Sequence, residues 1–207
     1  MPAPARAAIL AGGLATRMGG RNKALLEVDG RAILDRQLEV LRPQFPSGAL
    51  AAVLAAGASA ADAAPFAARG LEVLRDTDGG RGPLAGLTAA LEWSGETLLF
   101  ALACDMPCVD PRVVDMIVTR AHAACADIAL PVDGGRHQPL FACYSPRCLA
   151  LFLREMAANR LKLSALPGAA RAAGLVVHEI DAEEIRTIDP DLRSFVNLNR
   201  LSDLASR

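Results

Sequence analysis

What the 207-residue sequence lacks narrows the field first. No run approaches the roughly 20 consecutive apolar residues needed to cross a bilayer. The N-terminus, Met1-Pro2-Ala3-Pro4-Ala5-Arg6, has no basic segment leading into an apolar core as a signal peptide does. A cytoplasmic location without membrane contact is therefore expected. Charge of either sign is not in excess: 22 Lys and Arg against 23 Asp and Glu leave a formal net charge of -1. With no broad basic field, nucleic acid is not expected as a partner, and any basic site must be local. The five cysteines form no C-x-x-C pair, which fits reduced, mostly buried thiols, with Cys104 and Cys125 in or beside apolar segments. Cys104 and Cys108 lack the further Cys or His that would complete a tetrahedral metal set. No Ser-His-Asp or Cys-His constellation stands out either.

What is present is one well-filled globular sequence. With 52% hydrophobic residues the chain can bury a sizeable core, and a single domain over 1–207 is expected. Arg6 to Leu10 is an apolar run ending at Gly12-Gly13, as a buried strand passes into a turn. From Arg31 to Leu41 apolar residues recur at helical spacing, and Pro43 stops the segment. Ala49 to Ala55 reads as a strand, the Ala-rich stretch to Ala68 as a helix, and Leu71 to Leu74 as a strand. Gly82-Pro83 opens a helix to Trp93, Thr97 to Ala103 is strand-like, and Pro111 begins a helix to about Ala124. This alternation implies a mostly parallel α/β sheet with helices on both faces, a Rossmann-like three-layer α/β/α arrangement. Beyond Asp127, Ile128 to Val132 and Leu140 to Tyr144 flank a turn at Asp133-Gly134-Gly135 as an antiparallel pair, followed by helices and a last strand near Leu175 to Ile180.

The densest chemical signal is the stretch from Leu10 to Lys23, where four glycines, two arginines and a lysine follow directly from a strand. Glycines let backbone N–H groups approach phosphate oxygens, while Arg17 and Lys23 supply the charge a triphosphate needs. The spacing fits neither the P-loop nor the dinucleotide G-x-G-x-x-G. It resembles L-A-G/A-G-x-x-x-R-M-G-x-x-K, the signature of nucleotidyltransferases that share the fold of sugar-nucleotide pyrophosphorylases. The glycine is doubled at Gly19-Gly20, so that Lys23 falls one place later. That doubling, with Gly12-Gly13 in place of Ala-Gly, is similar to the molybdenum cofactor guanylyltransferases.

This resemblance implies the nucleotide-diphospho-sugar transferase fold, with a nucleotide-binding half at 6–108 and an acceptor-binding half at 109–207. It implies GTP and molybdopterin or molybdenum-molybdopterin as substrates, Mg²⁺ as cofactor, and molybdenum-insertion proteins and molybdoenzyme chaperones as partners. It places Leu10, Ala11, Gly12, Gly13, Lys23, Asp76, Gly82, Pro83, Leu84 and Asp105 around the nucleotide, with Arg17, Lys23 and Asp105 catalytic. Asp76 opens Asp76-Thr77-Asp78-Gly79-Gly80, which composition alone reads as an ordinary turn. Asp105 in Ala103-Cys104-Asp105-Met106-Pro107 stands where a hydrophobic strand meets its loop, the edge at which open α/β sheets bind ligands. A carboxylate there suits Mg²⁺, which commonly shares one or two carboxylates with substrate phosphates; a helix N-cap is the alternative.

Phe195 to Leu204 resembles the family ending F-x-N-x-N-T-P-E-E/D-L, with Arg200-Leu201 replacing Thr-Pro. In an extended segment Asn197 and Asn199 point the same way and would face the metal, although Asn199 also suits a helix cap. On the acceptor side the resemblance places His137, and it suggests Arg160 and Lys162 for the acceptor phosphate, a basic stretch that an exposed helix face also explains. After the second expected strand, where guanylyl members offer an Asn, this chain has Leu54-Ala55-Ala56-Gly57. A cytidylyl relative and a non-catalytic cofactor carrier are the readings left beside guanylyl transfer.

Overall fold

The computed structural model describes residues 5–12, 22–76 and 82–198. Strand β1 (Ala5–Leu10) carries buried residues on both faces: Ala7 and Ile9 enter one core, Ala8 and Leu10 the other. A strand alternates sides at every residue, so a continuous apolar run fits only a sheet covered on both faces. The parallel strands β4 (Leu50–Leu54), β5 (Glu72–Arg75) and β6 (Leu98–Ala103) join it in the order β5-β4-β1-β6. Before them, β2 (Glu27–Val28) and β3 (Arg31–Ala32) form a small hairpin around Asp29-Gly30, both with positive φ. The helix expected from Arg31 therefore starts at Ile33, because Arg31 and Ala32 are taken up by this hairpin.

Helices α1 (Ile33–Leu41), α2 (Ala60–Ala67) and α4 (Pro111–Ala123) cover one face through Leu34, Leu38, Phe66, Val113 and Ile117. Helix α3 (Pro83–Ser94) covers the other through Leu84, Leu87 and Leu91. Serine at the start of α2 makes a capping box with Asp62, and Pro83 and Pro111 sit in the first turns of their helices, where a missing N–H costs nothing.

The remaining chain extends the same sheet, as expected. Strand β7 (Ile128–Asp133) turns through Gly134-Gly135, both at positive φ, into the stub β8 (Arg136–His137), the two-residue hairpin such glycines permit. Strand β9 (Phe141–Tyr144) then inserts antiparallel between β6 and β7. Helices α5 (Cys148–Ala157) and α6 (Leu166–Ala172) pack beside α3, and β10 (Val177–Asp181) closes the sheet parallel to β7, leading into α7 (Ala182–Arg186). The full order is β10-β7-β9-β6-β1-β4-β5, with β8 paired to β7. Cys104, Cys143 and Cys148 are buried as expected, but Cys125 is exposed. Its φ of 46° marks the turn by which the chain leaves α4 for β7. Among the described residues no helix is long and apolar enough to cross a membrane.

A row of rings, Phe45, Phe100, Phe141 and Phe195, with successive centroids 6.1, 5.3 and 5.1 Å apart, ties the C-terminal segment to the sheet. Ser194, fully buried, accepts from the backbone N–H of Asp110, while the Asp189 carboxylate accepts from the N–H groups of Arg193 and Ser194. These bonds bring residues 196–198 back to the edge where β1 and β6 end.

Candidate active site

From adjacent strands β1 and β6 the chain runs on toward opposite edges of the sheet, β1 toward β4 and β6 toward β7. Open α/β sheets take ligands in the crevice beyond the carboxyl ends of the strands where the strand order reverses in this way. At its base the N–H of Ala11 donates to Val53 O (2.8 Å) and that of Cys104 to Leu10 O (3.2 Å), so three loops leave the sheet from one place. Gly12 runs against the β4 loop, where a Cβ would lie 3.3 Å from Ala55 N. A Cβ there would press on the neighbouring backbone, which would have to give by a few tenths of an ångström, and the glycine lets the two loops lie this close without that shift.

Asn22 folds the far end of the glycine-rich stretch back onto the sheet. Its Oδ1 accepts from Ala24 N (3.0 Å), capping a short 3-10 turn at Lys23–Leu25, and its Nδ2 donates to Ala11 O (3.2 Å). Lys23 Nζ then lies 3.0 Å from Asp105 Oδ2, with about a quarter of its side chain exposed. Residues 82 positions apart thereby meet at one edge, a cation for phosphate beside a carboxylate for a hard metal ion. Burial, with the Asp105 charge adding to it, pushes the neighbouring Cys104 thiol up to about 12, so no thiolate competes there.

The Asp105 carbonyl accepts from Leu198 N at 2.8 Å, which brings Asn197 alongside. Asn197 Oδ1 is buried and has no hydrogen-bond partner among the described residues. An unpaired buried amide oxygen near a carboxylate suits a hard cation that takes oxygen ligands. Among the described residues no group of three or more His, Cys, Asp or Glu forms a metal cage. Mg²⁺ at Asp105 would accordingly complete its shell with Asn197, water and substrate oxygens.

The other candidates divide by burial. Leu10, Ala11 and Leu84 are buried, so only their backbones can face a ligand; Gly82, with φ of 73°, and Pro83 present the start of α3 in the open. Asp76 is buried and its Oδ1 accepts from Ala56 N (2.9 Å). It therefore shapes the 55–57 turn that abuts Gly12. His137 Nε2 meets Glu179 Oε1 at 2.9 Å, and Arg171 bonds the same oxygen, so Arg171 first and His137 second hold the Glu179 carboxyl below its usual range. Arg160 makes a two-pronged ion pair with Glu155, and Lys162 is exposed just before the 3-10 turn at Leu163–Ala165. Neither Arg160 nor Lys162 is bonded to the Lys23–Asp105 pair. Gly13, Arg17 and Asn199 lie outside the described residues. Sequence reasoning missed Asn22 and Gln37, whose bonds hold the loops; only Asn22 carried a local signal, its suitability as a cap.

Comparison with known proteins gives this arrangement a family. Residues 7–170 match the model of the MobA-like NTP transferase domain. The chain is 33% identical over 196 residues to a probable molybdenum cofactor guanylyltransferase of Pelotomaculum thermopropionicum, covering 95% of this chain and 88% of that one. It is 31% identical over 198 residues to the molybdenum cofactor guanylyltransferase of Desulfosudis oleivorans, covering 95% and 90%. The crystal structure of molybdopterin-guanine dinucleotide biosynthesis protein A from Archaeoglobus fulgidus superposes with a TM-score of 0.76 at 26% identity, covering 97% of this chain and 95% of that one. At 16% identity the 2-C-methyl-D-erythritol 4-phosphate cytidylyltransferase from Thermus thermophilus (TM-score 0.65, 99% and 96% covered) shares the fold alone. On this matched length and on the retained fold, the chain belongs to the MobA-like NTP transferase family, among the molybdenum cofactor guanylyltransferases.

Proposed function

We propose that this protein transfers GMP from GTP to molybdenum-loaded molybdopterin in a Mg²⁺-dependent reaction. The observation that carries the reading is Lys23 beside Asp105 at the carboxyl ends of β1 and β6, in a chain of this family. A terminal phosphate oxygen of molybdopterin attacks the α-phosphorus of GTP. A new P–O–P bond forms, the bond between the α-phosphorus and its bridging oxygen breaks, and pyrophosphate leaves with the electron pair. The attacking oxygen is already ionised near neutral pH, so the protein has little proton transfer to perform and mainly aligns and neutralises anions. Bound at Asp105 and Asn197, Mg²⁺ would polarise the α-phosphate and stabilise the charge that develops there. In this reading Lys23 turns from Asp105 to the triphosphate, and Gly12, without a side chain, would leave its backbone open to the phosphates.

One observation favours a second reading, cytidylyl transfer. The 55–57 turn offers no side-chain amide, and its Ala56 N–H is already committed to Asp76. Purified protein, molybdenum-molybdopterin and Mg²⁺ are incubated with GTP, CTP or ATP in turn, and pyrophosphate release is followed. Release with GTP alone supports guanylyl transfer, release with CTP selects the second reading, and none with any nucleotide leaves a carrier. Asp105→Ala is expected to lose at least about 100-fold in kcat while remaining folded by circular dichroism. Wild-type turnover, or an unfolded variant, overturns the role given to Asp105.

A further inference from the structure

Helix α1 turns an apolar face to the first core through Leu34, Leu38 and Leu41, and Gln37 stands among them at 1% exposure. An amide in such a place costs free energy unless its polar atoms find partners. Its Nε2 donates to two carbonyls at once, Ala103 O at 2.8 Å and Met106 O at 2.9 Å. Its Oε1 has no partner among the described residues, so part of the cost stays uncompensated. A methionine would fill a similar volume without that cost. What the amide adds is a clamp across the turn that carries Asp105.

The two carbonyls belong to the last residue of β6 and to the residue just after Asp105. The Ala103 end is fixed to the sheet, since Ala103 N donates to Leu140 O (2.8 Å). Bridging both ends with the two N–H groups of one amide sets the span of the turn, and hence where the Asp105 carboxylate stands relative to Lys23 and Asn197. We propose that Gln37 is a positioning residue for Asp105, acting from the core through the backbone of residues 103–106. It never touches substrate; it fixes the height at which Asp105 meets the divalent cation. This inference rests on the guanylyl-transfer reading.

The test compares wild type with Gln37→Met, which keeps the volume and removes both donors, and Gln37→His, which keeps one ring N–H. Ile117→Val, buried in the same core on α4, controls for lost stability alone. Mn²⁺ serves as the probe: free Mn²⁺ is read by electron paramagnetic resonance while it is titrated into protein saturated with GTP. Melting temperature and steady-state kinetics are measured in parallel. Gln37→Met is expected to weaken Mn²⁺ binding about tenfold and to lower kcat by a similar factor, with KM for GTP within about twofold. Gln37→His recovers part of both losses, and Ile117→Val lowers the melting temperature without moving either. Should Gln37→Met not fold, Gln37→His carries the test with a required loss of at least about threefold. If the variants lose stability yet bind Mn²⁺ and turn over as wild type does, Gln37 is a core hydrogen bond only and the inference fails. If wild-type protein with GTP takes up no Mn²⁺, the underlying reading fails first and takes the inference with it.

Discussion

The Lys23–Asp105 pair predicts that removing Lys23 moves metal affinity and nucleotide affinity in opposite directions. In the free protein the ammonium occupies the carboxylate at 3.0 Å, so a divalent cation seeking Asp105 must displace it. The Coulomb attraction at that distance is about 1.4 kcal/mol at the dielectric of water and about 5.5 kcal/mol at an effective dielectric near 20. Exposed pairs retain only about 0.2–1 kcal/mol of such gross energies. This pair, with side chains 27% and 17% exposed, is better shielded than those, which sets its net strength at about 1–2 kcal/mol. At about 1.4 kcal/mol per decade, Lys23→Met should therefore raise the affinity of nucleotide-free protein for Mn²⁺ about tenfold. The same change removes a phosphate-binding cation, so GTP affinity in Mg²⁺ should fall about tenfold or more. Titration of Mn²⁺ by electron paramagnetic resonance without nucleotide, and calorimetric titration of GTP, read the two quantities separately. Unchanged Mn²⁺ binding by the free Lys23→Met protein would refute the claim that the lysine holds the metal's carboxylate.

Two further expectations concern residues around this pair. Asp76→Ala deprives Ala56 N of its acceptor and should cost about 1–2 kcal/mol, or several degrees in melting temperature, whereas Asp76→Asn keeps an oxygen in place and should lose less than half as much by differential scanning calorimetry. Equal losses would show that charge, not the hydrogen bond, is what matters at Asp76. Arg160 first, by its hydrogen bonds, holds the carboxyl of Glu155 below its usual range. A lowered carboxylate pKa contributes stability above the unfolded value and loses it as pH falls through the folded one. Arg160→Ala should thus lower the melting temperature at pH 7, with the gap to wild type closing in acid below about pH 4. If Arg160 instead serves the acceptor, KM for molybdopterin rises at a pH where the melting temperatures coincide.

Much of the architecture was legible in local pattern. Continuous apolar runs such as Ala7 to Leu10 require burial on both faces, and Gly134-Gly135 supplies the positive φ that a two-residue hairpin needs. The strand-to-loop junctions at Leu10 and Ala103 could likewise be read from where apolar runs stop at glycine or aspartate. Those signals are short-range, because propensity and alternation act within a few residues. The same limit explains the errors at Arg31 and Cys125, where a small hairpin and a left-handed turn override the surrounding pattern.

What tertiary structure alone decided is how distant residues share the edge. Gln37 reads in sequence as one polar residue on an apolar helix face, yet it bonds to carbonyls 66 and 69 residues away because α1 packs beneath the end of β6. The reversed strand β9 between β6 and β7, the return of Leu198 to Asp105, and the approach of Lys23 to Asp105 also depend on strand order. Strand order is settled by how two cores close around one sheet, a long-range packing problem. Sequence thus determined the kinds of elements and the chemistry available at their ends; packing determined which ends meet.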